Sequence, residues 1–184
     1  MNPLVITLIV LGILILWVVL VYNGLVQTRN AVKQSWSGID VQLKKRADVV
    51  PNLVKTVKGY AKHEKELLEN ITKARSSLLN AKGDVKKAEK ADLELTSALK
   101  TLFAVSENYP TLKANENFLK LQEQLSDIED TIAAARRIYN ENVVHFTNKI
   151  QIFPNNILAK QFSFTAPAFF EAQPEEREAV SVEF

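Results

Sequence analysis

From Leu4 to Tyr22 the chain runs largely through leucine, isoleucine and valine without one charged side chain, and its first charged side chain is Arg29. A helix crosses the hydrocarbon of a bilayer with roughly 20 apolar residues at about 1.5 Å each. This run is therefore expected to form an N-terminal transmembrane helix, with Trp17 and Tyr22 toward the headgroup layer that amphipathic rings favour. A cleaved secretory signal would start with basic residues, hold a shorter apolar core and end in a small-x-small site. Residues 1–3 carry no basic side chain and Tyr22-Asn23-Gly24-Leu25 is a poor cleavage sequence, so the anchor is expected to stay attached. The chain has no cysteine, which removes a lipidated-cysteine anchor and says nothing of redox compartment.

Basic residues set the expected orientation. Arg29 and Lys33 follow the span, then Lys44, Lys45 and Arg46, while only the α-amine precedes it. The positive-inside rule then places the N-terminus outside and the following domain in the cytoplasm, with the opposite orientation as the alternative. Net charge is +2 but unevenly spread: Arg29–Lys65 holds nine Lys/Arg against three Asp/Glu, and Glu171–Phe184 holds five Glu and one Arg. A basic stretch beside anionic headgroups accounts for the first of these.

Beyond the span, apolar positions step by three and four through Val32, Trp36, Ile39, Leu43, Ala47, Val50, Val54, Val57, Ala61, Leu68, Ile71, Ala74 and Leu78. That is one amphipathic stripe. Pro51 should disfavour helix at Val50, yet the stripe keeps its phase across it, which predicts a kinked helix rather than two. From the bilayer exit to Ala81 this rod would hold about 60 residues, or roughly 90 Å. Gly24 is the weak point at which it could hinge.

Lys82-Gly83-Asp84 reads as a turn, with Gly83 past a helix end and Asp84 capping the next helix. The second stripe is Ala88, Leu95, Leu99, Leu102 and Val105, ending at Asn108-Tyr109-Pro110. Thr111 can cap a third rod of about 40 residues that ends at Phe153-Pro154. A short fourth helix is expected over residues 155–162. Phe162, Phe164, Phe169 and Phe170 are too apolar for a free tail and should pack across one end of the bundle or on a neighbouring subunit. Val180-Ser181-Val182-Glu183-Phe184 alternates like a short strand and ends in a pattern that strand-adding peptide grooves accept.

The expected architecture is all-α: an N-terminal transmembrane helix continuing into an elongated antiparallel bundle of three long helices plus one short helix. The expected divisions are an anchor over 1–23, a helical bundle over 24–162, and a Phe-rich, acidic tail over 163–184.

Several blocks in this order carry a resemblance. They are Tyr22-Asn23-Gly24-Leu25-Val26, Trp36-Ser37-Gly38-Ile39-Asp40, Pro51-Asn52-Leu53-Val54 and Lys58-Gly59-Tyr60-Ala61-Lys62-His63-Glu64. Further on come Ala74-Arg75, Asn108-Tyr109-Pro110, Leu112-Lys113-Ala114-Asn115, Ala135-Arg136-Arg137-Ile138-Tyr139-Asn140 and Phe153-Pro154. Over essentially its whole length the chain resembles the LemA family of bacterial single-pass membrane proteins. The resemblance implies an anchor and a helical bundle in the bacterial inner membrane, with association to envelope proteins or membrane proteases. It implies no catalytic residue.

The residues themselves point away from chemistry. His63 and His145 are the two histidines, on different helices. Glu141-x-x-x-His145 lacks the paired Glu-x-x-His motifs of a di-iron bundle, and His63-Glu64 lacks the second histidine of a zinc helix. No Gly-x-Ser-x-Gly and no phosphate loop occurs. No cofactor, small-molecule substrate or nucleic acid is expected, the Lys44-Lys45-Arg46 run reading as a solvated helix face. Arg46, Glu64, Arg75 and Arg136 lie beside seam positions, with Asp40, Asn52, Asn115 and Asn140 as candidates to reach them. A partly buried charge needs a partner, so bridges between helices or subunits are expected. The function these features suggest is a non-catalytic scaffold that homo-oligomerises and meets other envelope proteins. The alternative is a small adaptor of a membrane protease or signalling protein that docks through its phenylalanine-rich tail.

Overall fold

The computed structural model of the chain describes residues 2–170 apart from Lys62 and Lys82. Six helices and no strand are found among the described residues: α1 (Pro3–Lys58), α2 (Lys65–Asn80), α3 (Val85–Ser106), α4 (Pro110–Lys113), α5 (Glu116–Gln151) and α6 (Asn155–Gln161). The class is all-α, and α1 continues without a break from the apolar run through Gly24. A Cβ on Gly24 would meet the Nζ of Lys149 at 2.9 Å, the movable end of a long side chain.

The first rod stops earlier than its stripe suggests. Helix α1 ends at Lys58 and α2 begins at Lys65, so the expected helix to Ala81 is two helices. The amide of Gly59 bonds back to Thr56 O at 3.2 Å and those of Tyr60 and Ala61 to Val57 O, which closes α1 in a turn. Between Ala61 and Leu68 no apolar side chain falls on the stripe, and Lys62-His63-Glu64-Lys65-Glu66 offers nothing to bury. Pro51, where a kink is expected, stays inside the helix. Proline cannot donate to the carbonyl four residues back, so the Ala47 carbonyl loses its helical partner. The Nε of Arg75, from α2, donates to that oxygen at 2.7 Å.

Arg75 thus mends a defect that Pro51 creates, and the two substitutions should be coupled. Arg75→Met is expected to cost about 1–3 kcal/mol, the penalty of a stranded buried acceptor. In a Pro51→Ala background, where residue 51 can donate to Ala47, most of that loss should vanish. A double-mutant cycle in urea measures it. Equal losses in both backgrounds would detach Arg75 from the proline.

By contacts the described chain forms two compact units, and α1 and α5 contribute to both. One comprises the residues up to Ser37 with Arg137–Ala168; its core is built on Leu25, Val32, Tyr139, Val143, Phe146, Leu158 and Phe164. The other comprises Gly38–Arg136 with Phe169 and Phe170, and there α1, α2, α3 and α5 bury Ile39, Leu53, Ile71, Leu95, Leu102, Phe118 and Ile132. Helices α2 and α3 form a hairpin. Gly83 takes φ +79°, the left-handed conformation that glycine adopts without strain. Asp84 caps α3, its Oδ1 accepting from the Lys87 amide at 3.1 Å. That hydrogen bond holds the Asp84 carboxyl below its ordinary value.

The cap expected at Thr111 lies elsewhere. Pro110 opens the single-turn α4, and Asn115 caps α5, its Oδ1 accepting from the Phe118 amide at 3.0 Å. Residues 171–184, with the short strand and the groove-binding C-terminus expected there, lie outside the described residues.

Candidate functional site

The most concentrated polar chemistry is a charge cluster inside the unit formed by Gly38–Arg136. Asp92 on α3 is fully buried, 0% exposed. Its Oδ1 accepts from Arg46 Nη1 at 2.7 Å and its Oδ2 from Arg136 Nη2. Arg46 Nη1 also stands 2.6 Å from Glu129 Oε2, an ion pair without hydrogen-bond geometry. Arg46 is 4% exposed and Arg136 8%. Two cations and two anions from α1, α3 and α5 therefore cancel around the buried Asp92, with the partly exposed Glu129 at the edge. The guanidinium of Arg136 also lies over the Phe170 ring, 4.7 Å from its centroid.

These partners differ from the expected ones. Asp40 and Asn52 are on the exposed side of α1. Asn115 donates to Tyr60 Oη at 2.9 Å, and Glu64 Oε1 accepts from the Tyr109 hydroxyl at 3.0 Å. That carboxylate, more than partial burial, holds the Tyr109 phenol above its usual value, since losing the proton would set two anions in contact. Asn140 is half-buried on α5. Asp92 and Glu129 carry the cluster, and the sequence holds a signal for Asp92. It falls three residues before Leu95 and four after Ala88, in phase with the α3 stripe.

In the other unit the aromatic side chains gather. Trp36 packs edge-on against Tyr139, centroids 5.9 Å apart, and the Tyr139 hydroxyl donates to Ala168 O at 2.8 Å. Phe164 meets Tyr22 at 6.0 Å and Phe146 at 6.2 Å, with the Arg29 guanidinium over its ring. Phe162 meets Tyr22 at 4.9 Å. A Schellman turn delivers these two rings: the amide of Ser163 bonds to Lys160 O and that of Phe164 to Ala159 O. Ser163 adopts φ 55° at the position glycine usually fills. Of the four phenylalanines expected to pack, Phe164 and Phe170 are buried, while Phe162 is 48% exposed and Phe169 43%.

Burial also holds the Tyr139 phenol above the ordinary 10.0. A folded-state value raised above the unfolded one means that the stabilisation is complete below pH 10 and is lost as pH rises through the higher value. Tyr139→Phe should cost about 1 kcal/mol at neutral pH for the lost hydrogen bond. It should also move the alkaline unfolding limb upward in pH. Circular dichroism across the alkaline range checks this, and an unmoved limb would mean that Tyr139 does not set it.

Among the described residues no three His, Cys, Asp or Glu side chains gather where they could hold a metal ion. Glu141 and His145 line a shallow surface depression with Arg137, Asn140 and Val144.

An all-helical bundle protein, with internally paired charges and a first helix long and apolar enough to cross a membrane, is the class these features define. The chain belongs to the LemA family, whose family model matches residues 35–184. It is 32% identical over 157 residues to Protein LemA of Metamycoplasma hominis, an alignment covering 84% of this chain and 71% of that one. Magnetosome protein MamQ 2 of Paramagnetospirillum magneticum is similar at 25% identity over 178 residues, and Magnetosome protein MamQ of Magnetospirillum gryphiswaldense at 24%. Each of these two alignments covers 83% of this chain and 65% of the relative, so the chain spans somewhat under two thirds of the MamQ proteins. None of these names denotes an enzyme.

Proposed function

We propose that the chain is a non-catalytic, membrane-anchored scaffold that assembles with copies of itself and presents its helices to other envelope proteins. The observation that carries this reading is the use of its buried charge. Arg46, Asp92, Glu129 and Arg136 neutralise one another across three helices. Such an interior fixes register and rigidity and is poorly suited to proton or group transfer. The MamQ relatives are named for the magnetosome and not for a reaction, which supports a structural role. The anchor is the apolar run of α1, in the inner membrane, with the N-terminus outside and the bundle in the cytoplasm.

Light scattering and electron microscopy of the full-length protein in detergent test assembly, and a monomer or dimer would overturn the scaffold. A second reading, a small adaptor that docks by its tail, is favoured by the exposed Phe169 at the start of that tail. Phe169→Ser should then abolish partner capture with the bundle intact. Deleting the whole tail from Phe162 is a poorer test, since Phe164 and Phe170 are part of the core.

A further inference from the structure

The end of α5 and the start of α6 carry an apolar surface that packing does not use. Ile152 is 59% exposed, Phe153 74% and Ile157 56%. The chain turns tightly here, the Asn156 amide bonding to Ile152 O at 3.0 Å and that of Ile157 to Pro154 O at 3.2 Å, so the three side chains share one small tip. Leu158 and Ala159, on the other side of α6, are buried and fasten it down. Bare phenylalanine and isoleucine so close together mark a surface with a partner.

The tip's place along α1 identifies that partner. Phe162, at the end of α6, touches Tyr22, the last residue of the apolar run. Lys149, one turn before the tip, reaches Gly24. Every side chain from Leu4 to Leu16 is exposed, and partial cover starts at Trp17 and Val18, inside the run. The tip therefore lies level with the boundary of the span, all of it within one unit. Lys149 and the exposed Lys160 flank it, and lysines beside apolar side chains suit a phosphate layer over acyl chains.

We propose that Ile152, Phe153 and Ile157 enter the interfacial layer of the bilayer that α1 crosses. The partner is a lipid surface, and the chain then holds the membrane at two points, the span and this tip. A second contact resists tilting and swivelling that a single helix permits. The inference goes beyond the scaffold reading and rests on Leu4–Tyr22 being a span.

The natural chain has no cysteine, so single introduced cysteines take a spin label at one site each. Phe153→Cys, Val144→Cys and Leu14→Cys in full-length protein, reconstituted into phosphatidylglycerol–phosphatidylethanolamine vesicles, are compared by collision with oxygen and with a water-soluble nickel chelate. Val144, also exposed but about two and a half turns back along α5, is the aqueous reference. The oxygen-to-nickel ratio at Phe153 is expected to be severalfold above that at Val144 and below that at Leu14. A Phe153 ratio equal to that of Val144, with Leu14 in lipid, overturns this inference and leaves the span intact. An aqueous Leu14 overturns the span itself. A Phe153 label shielded from both reagents means that protein covers the tip, which also overturns the lipid contact.

Discussion

Asp92→Ala should lower the unfolding free energy by about 3–5 kcal/mol, the scale of breaking a buried ion pair from one side. The carboxylate is fully buried and bonds to two arginines that are themselves almost wholly covered. Its removal leaves two guanidiniums facing each other, with Glu129, which stands at Arg46, as the remaining anion. The loss should come from stranded charge rather than from missing attraction, and a triple replacement separates the two. Arg46→Met, Asp92→Leu and Arg136→Leu together remove every charge but Glu129, whose side chain, 32% exposed, can turn to water. That variant should lie far closer to the natural chain than Asp92→Ala does. Urea unfolding followed by helical circular dichroism measures both. A loss under about 1 kcal/mol for Asp92→Ala would mean that water already solvates the cluster.

Phe146→Ala should cost a comparable amount, about 3–5 kcal/mol, by opening a cavity. The ring is 1% exposed and meets Phe164 edge-on at 6.2 Å. It also supports the turn at Ser163 through Phe164, so limited proteolysis should cut residues 162–168 faster in the variant. Phe153→Ala provides the contrast. That ring is 74% exposed, so truncating it should barely change stability in detergent. Equal losses at the two positions would mean that the tip is packed in solution.

Period and punctuation made most of this fold legible. The apolar run, the turn at Gly83 and the end of α5 before Pro154 follow from composition and spacing alone. The break after Lys58 is harder to see because the stripe resumes in phase at Leu68, and what betrays it is Gly59, directly past the helix end, with the five polar residues from Lys62 to Glu66. Asn115 displaced Thr111 as the cap because Pro110 starts a separate single turn first. The buried cluster was half legible. Arg46 and Arg136 stand out beside their seams, but a search for partners among nearby polar residues passes over Asp92, which sits among leucines. A charge in phase with an apolar stripe is the stronger signal. The role of Arg75 could not be read at all from side-chain pairing, since it answers a backbone carbonyl that Pro51 leaves bare.

The order in which the cluster's charges leave the ribosome has its own consequence. Arg46 comes first and Asp92 next, so α1 and α3 can meet as a neutral pair before α5 has been made. Glu129 and Arg136 then follow two turns apart on one face of α5, and each adds an anion or a cation to a partner already in place. No stage of synthesis has to bury a lone charge for long. A chain whose charges are made in this order can build its interior in sequence, neutral at each docking step.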